Sequence, residues 1–142
     1  QRLLPTVCAQ CALKADEVRE SRALQGRQIE RLKLYLKSNL EHIRFANTSA
    51  NNTCTHCQGT GIHGRVIVAE VVEVDATARA YIAEGNLTGW DAHLRTNGWQ
   101  SIQDHAKEYV LSGKACPIFT ESILSEKFTV TDSTDENVTE NT

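Results

Sequence analysis

Four cysteines in two pairs, Cys8-Ala9-Gln10-Cys11 and Cys54-Thr55-His56-Cys57, are the residues of this chain best suited to chemistry. Each C-x2-C pair presents two thiolates from one tight turn, and two such pairs make up the tetrahedral set of a four-sulfur zinc site. After the second pair the chain continues Gln58-Gly59-Thr60-Gly61. A turn that aims two sulfurs at one metal and backbone N–H groups at the sulfurs often needs a positive φ just past the second cysteine. Gly59 takes that conformation at little steric cost. Cys8, Cys11, Cys54 and Cys57 are therefore the expected ligands of one structural zinc ion. A four-sulfur site leaves no open position for water, so such a zinc would hold a fold together and catalyse nothing.

Two disulfides, or buried unligated thiols, are the competing reading. Against it stand an odd count of five cysteines, no signal peptide, and no apolar run of the roughly 18 residues a membrane span needs. A reducing compartment is favoured. Cys116, before Pro117 at an expected helix start, reads as a small buried apolar residue. His56 and His63 flank or interrupt the second pair but stay outside the ligand set, because His56 would have to compete with both neighbouring thiolates. There is no G-x-x-x-x-G-K-S/T phosphate loop, no G-x-G-x-x-G fingerprint and no H-E-x-x-H. Glu70 and Glu73 lie in or beside a strand with no partner named by spacing, and read as fold or interface residues. As it stands the chain reads as non-catalytic.

The elements that must position the cysteines follow from periodicity. Leu3, Leu4 and Val7 lead into the first pair as the end of a strand or helix. Asp16 opens a polar helical stretch that Gly26 is expected to interrupt. From Arg27 to about Phe45, Ile29, Leu32, Leu36, Leu40 and Ile43 recur at helical spacing, which predicts a long amphipathic helix between the two cysteine pairs. Residues 46–53 are small and polar, an exposed loop; the sequons at Asn47 and Asn51 are chance matches in a cytosolic protein. Arg65 to Val74 is β-branched and free of Gly and Pro, the best strand candidate, with apolar residues on both faces and so expected burial on both sides. Three short helices follow: one capped by Asp75 or Thr77, one by Thr88 ending at Asn97-Gly98, and one by Ser101 ending at Gly113. Pro117 starts a last helix with Ile118, Phe119, Ile123 and Leu124.

The resulting expectation is an α+β, mostly helical chain. A small tetracysteine zinc-stabilised subdomain spans residues 1–74, with a helical insertion at about 14–46 and a short strand region. A compact helical bundle spans 75–128, and 129–142 form a disordered acidic tail too polar to offset its ordering entropy. The 142 residues suffice for one ordinary core or two small subdomains. The chain begins with Gln1 and holds no methionine, which leads to the expectation of a fragment cut from a larger protein. Its charge is uneven: residues 1–65 carry ten Lys/Arg against five Asp/Glu, and the remainder five against thirteen. A basic patch can face anionic lipid, nucleic acid or an acidic protein, or be simply a solvated helix face.

Three stretches together resemble the C-terminal part of the secretion ATPases, the hexameric motors of type II secretion and type IV pilus assembly. Gln1-Arg2-Leu3 with Cys8 and Cys11 is similar to the entry into that family's zinc region. Cys54 to Val74, with Thr60-Gly61, Gly64-Arg65 and Glu70, is similar to the second half of the motif. Gly98-Trp99-Gln100-Ser101-Ile102 through Gly113 resembles the helix and glycine stop that follow. The likeness covers about residues 1–12 and 54–128; 42 residues separate the pairs, more than the family leads one to expect, and Ile62 stands where an aromatic is usual.

The resemblance implies a cytoplasmic ATPase peripheral to the bacterial inner membrane, driving pilin or pseudopilin assembly. Its ATP and Mg would bind upstream of Gln1. Implied partners are the other subunits of a hexameric motor and the membrane platform protein, with no nucleic acid expected. Two rivals remain. Cys54 to Gly61 also fits the C-x-x-C-x-G-x-G unit of the Hsp40-type chaperone zinc domain, although the pair at Cys8 and Cys11 lacks both glycines. A stand-alone zinc ribbon for nucleic acid or protein would draw on the basic first half.

Overall fold

A computed structural model of the protein describes residues 1–18, 23–36 and 39–128. Strand β1, Arg2–Val7, and strand β2, Ile62–Val68, pair antiparallel, with Arg2 opposite Val68 and Leu4 opposite Val66. The pleat sorts the side chains: Leu4 and Val68 are fully buried, while Leu3 and Ile67, paired on the other face, are half exposed. The register breaks between Pro5 and Val7, where proline has no N–H to give.

The expected strand over 65–74 is displaced. It begins earlier, at Ile62, and ends at Val68, and Val71 beyond it is 82% exposed. The β-branched run signals strand propensity, but a strand also needs a partner. Register places Val68 against Arg2, so residues 69–74 run past the paired segment. Burial on both sides is corrected for the same reason: the helices at the C-terminal end cover one face only.

Helix α1, Ala23–Tyr35, also departs from expectation. It runs through Gly26 rather than being interrupted there, and stops at Tyr35 rather than near Phe45. The polar helical stretch opened by Asp16 falls partly on residues outside the described ones; Ala15 to Glu17 form a turn, with Lys14 N–H donating to Glu17 Oε2 at 2.7 Å. The apolar stripe nonetheless faces inward: Ile29, Leu32, Leu36 and Ile43 are all buried. Past the helix, tight turns do the same sorting, with Asn39 N–H bonded to Leu36 O at 2.8 Å and His42 N–H to Asn39 O at 3.0 Å. Residues three or four apart share a side in such turns as they do in a helix. The chain then straightens, and Phe45 and Leu13 exchange two backbone hydrogen bonds of 2.8 and 2.9 Å.

Four further helices follow: α2, Ala76–Ala83; α3, Leu87–Thr96; α4, Ile102–Leu111; and α5, Pro117–Leu124. The Ser101 cap forms a full capping box with Asp104. Thr88 does not cap α3; Asn86 does, its Oδ1 accepting from Gly89 N–H at 2.9 Å. Both residue types can cap, and Gly85 (φ 68°) turns the chain so that Asn86 arrives first. Pro117 opens α5 as expected, and Cys116 before it is buried. The fold is thus α+β, five helices and a two-stranded sheet among the described residues. One core cluster unites Leu4, Leu36, Phe45, Val68, Val110 and Phe128 with its neighbours. The acidic tail at 129–142 lies outside the described residues.

Asp75 caps α2, accepting from Ala78 N–H at 2.7 Å, with His93 Nε2 3.0 Å from its carboxylate. The Ala78 N–H, and after it His93, holds its pKa below the ordinary carboxylate value. A depressed folded pKa means the cap stabilises fully above the unfolded value and is lost as pH falls through the folded one. We expect the protection factor of the Ala78 amide to fall between about pH 5 and the acid limit in the wild type, more than in Asp75→Asn; an equal fall in both would contradict the assignment.

Candidate metal centre

The two cysteine turns are built where the sheet ends. Cys8 directly follows β1, and its N–H bonds to Gly61 O at 2.9 Å, carrying the strand pairing one step further. Cys11 and Ala12 then fold back, both donating to Cys8 O. In the second turn Gly59 N–H reaches Cys54 O at 3.0 Å and Thr60 N–H reaches Cys57 O at 3.2 Å. Gly59 sits at φ 78° and Gly61 at φ 76°. At both, space as well as φ demands glycine: a Cβ on Gly59 would lie 2.7 Å from Asn52 O, and one on Gly61 2.6 Å from Asn47 O. The sequence pointed to Gly59. The closer approach at Gly61, and the left-handed Gln58 (φ 55°), carried no local signal.

All four sulfurs of Cys8, Cys11, Cys54 and Cys57 lie within 4.8 Å of one another. Cys8 Sγ is 3.9 Å from Cys54 Sγ, and Cys11 Sγ 3.6 Å from Cys57 Sγ. These cross-pair distances bracket the edge of about 3.8 Å that a tetrahedron of sulfurs has when each lies about 2.3 Å from a central ion. All five cysteines are free thiols. Cys8 and Cys57 are buried, Cys11 and Cys54 half-buried, so the cluster is closed on one side and reachable from the other. The chemistry of the donor set and its geometry both fit a closed four-thiolate metal site.

The electrostatics of the cluster are uneven. Burial, with thiol neighbours adding to it and Asn52 opposing, pushes Cys11 up to about 12. Burial also works against ionising Cys57, but the Gly61 N–H, 3.2 Å from its sulfur, and the neighbouring thiols outweigh it and draw Cys57 down to about 6. The asymmetry favours the anion at Cys57 over Cys11. Loading a metal must release the remaining protons, so affinity falls as pH is lowered.

The rings of His56 and His63 meet at a tilt of 38°, centroids 4.1 Å apart and both residues exposed, and neither is in the sulfur cluster. Burial raises the pKa of the Cys116 thiol, and it packs in the core cluster. Glu70 serves the fold, its Oε2 accepting from Ile102 N–H at 2.9 Å at the start of α4. The residue that sequence reasoning missed is Asn52, which hydrogen-bonds to the cluster from what reads as an ordinary polar loop.

A family model described as Type II/IV secretion system protein matches residues 1–129. The chain belongs to this family. No curated protein matches it. Within the secretion system family, the sulfur cluster marks this chain as the metal-binding region of a secretion ATPase, with Cys8 to Cys11 and Cys54 to Cys57 at the places the resemblance names. None of the described helices is long and apolar enough to cross a membrane.

Proposed function

We propose that this chain is the zinc-binding, non-catalytic part of a pilus assembly or type II secretion ATPase, and that it stabilises and docks rather than reacts. The four-sulfur cluster carries this reading. Cys8, Cys11, Cys54 and Cys57 would hold the zinc, which supplies a tetrahedral crosslink and no open coordination site. ATP and Mg belong to the part of the motor upstream of Gln1. Residues 1–74 act as the zinc subdomain and 75–128 as the helical subdomain of a hexamer peripheral to the inner membrane on its cytoplasmic side. The platform protein meets it at the basic first half, at a groove of mixed charge lined by Lys14, Lys33, His42 and Arg44 together with Asp16 and Glu41. Nucleic acid is not a partner in this reading.

The test uses the complete motor protein in its own cell. Replacing Cys54 and Cys57 together by serine is expected to lower metal content from about one ion per chain to none. The membrane-associated fraction and fibre or pseudopilus assembly should fall with it. Normal assembly by a metal-free motor would overturn the docking role. Binding to nonspecific DNA that weakens steeply with salt would favour the nucleic-acid ribbon instead.

A further inference from the structure

The loop that returns to the second cysteine turn carries one side chain that touches both turns. Asn52 Nδ2 lies 3.5 Å from Cys11 Sγ and 2.9 Å from Asn47 O, while its Oδ1 accepts from Cys54 N–H at 3.0 Å. Its own N–H is bonded to Ser49 O at 3.0 Å, and its carbonyl oxygen is the atom that a Cβ on Gly59 would strike. The side chain is half-buried. Asn52 is therefore fixed from both ends, and the two cysteines it touches belong to different pairs.

We propose that Asn52 is a positioning residue of the metal centre. Its amide holds the Cys11 sulfur by an N–H···S bond and, through the same planar group, sets the start of the second turn, so the two pairs meet as one four-sulfur set. This rests on the structural-metal reading above. These two contacts suit a carboxamide, which carries a donor and an acceptor on one planar group short enough to reach both turns. Aspartate would keep the acceptor for Cys54 N–H but turn an anionic oxygen towards a thiolate. Alanine would remove both bonds. Hydrogen bonds to ligand atoms orient them and temper their basicity, and losing one typically costs about 10–100-fold in metal affinity. An N–H donor facing a thiolate also lowers its nucleophilicity, which gives the Cys11 sulfur a reactivity of its own to read.

The experiment compares the 142-residue chain with Asn52→Asp and Asn52→Ala, each loaded with Co2+ as a spectroscopic probe. Three quantities are read: the thiolate-to-cobalt charge-transfer bands, the rate of metal loss to a chromophoric chelator, and the alkylation of each cysteine by iodoacetamide, resolved by peptide mapping. Both variants are expected to release cobalt about 10-fold faster or more. Cys11 should be alkylated several-fold faster relative to Cys8 in the same molecule, and the charge-transfer bands should move to lower energy. A merely structural role would raise the reactivity of all four cysteines together. Should Asn52→Ala fail to fold, Asn52→Asp, which keeps size and the Cys54 contact, decides alone. Unchanged release together with an unchanged Cys11-to-Cys8 ratio overturns the assignment. Wild-type protein that takes up no cobalt overturns the metal reading and, with it, this one.

Discussion

Chelating the metal from this protein is expected to lower its melting temperature by more than about 10 °C and to free all four cluster cysteines for alkylation. The sheet consists of β1 and β2 alone, and a two-stranded pair is marginal without help. A metal held by the cysteines would supply that help: one pair follows β1, the other precedes β2, and the ion would close a loop between residues 46 apart in sequence. Apparent metal-binding energies of structural zinc peptides run to about 10–16 kcal/mol at neutral pH. A domain of this size has only about 5–15 kcal/mol in all, so the crosslink outweighs any single packing contact. Cys8→Ser should reproduce the effect of chelation. Cys116→Ala, in the core but outside the cluster, should leave metal content unchanged. Because protons compete with the metal for the thiolates, the difference between loaded and chelated protein should narrow as the pH is lowered. Metal content by mass spectrometry beside thermal melts checks all of this. A metal-free protein that melts like the loaded one, with its thiols intact, would show that the crosslink contributes nothing to stability.

The features legible in the sequence are those whose cause is local. Two C-x2-C pairs announce a four-sulfur cluster because two sulfurs on one turn need no distant partner to be recognised. Ser101 with Asp104, and Pro117, announce helix starts within four residues of themselves. What stayed hidden depends on partners far along the chain. Val71 to Val74 have the composition of a strand, yet register leaves them unpaired and exposed. The stripe from Ile29 to Ile43 reads as one long helix because the turns after Tyr35 keep the same spacing. Asn52 looks like any other residue of a polar loop, since its partner Cys11 is 41 positions away. The family, by contrast, was legible, because its signature lies in the order of several short motifs rather than in any contact.

Replacing Arg31 by methionine should cost about 3 kcal/mol of stability, measured by urea unfolding, although Arg31 touches neither the sheet nor the cysteines. The reason is Glu121, a carboxylate on α5 that is only 5% exposed. Arg31 Nη2 lies 2.6 Å from its Oε1, Gln28 Nε2 donates to the same oxygen at 3.1 Å, and Phe128 N–H meets Oε2 at 2.6 Å. Arg31 also donates to Phe128 O, and Tyr35 stacks on the Phe128 ring at 5.8 Å. One carboxylate thus fastens α1, which lies between the cysteine pairs, to α5 and to the segment after it. Removing the arginine strands a buried charge. Removing the glutamate strands less, because the Arg31 side chain is 27% exposed and can turn to water; Glu121→Leu should cost about 2 kcal/mol, chiefly through Phe128 N–H and Gln28. The double replacement Arg31→Met with Glu121→Leu fills the space with apolar groups and leaves no charge behind, so its cost should fall below that of Arg31→Met alone. The cycle would then show a coupling of about 2 kcal/mol or more. Single and double variants that simply add, or an Arg31→Met loss within about 0.5 kcal/mol of zero, the range of ordinary surface changes, would mean that the packing of Tyr35 on Phe128, and not this ion pair, joins the insertion helix to the end of the chain.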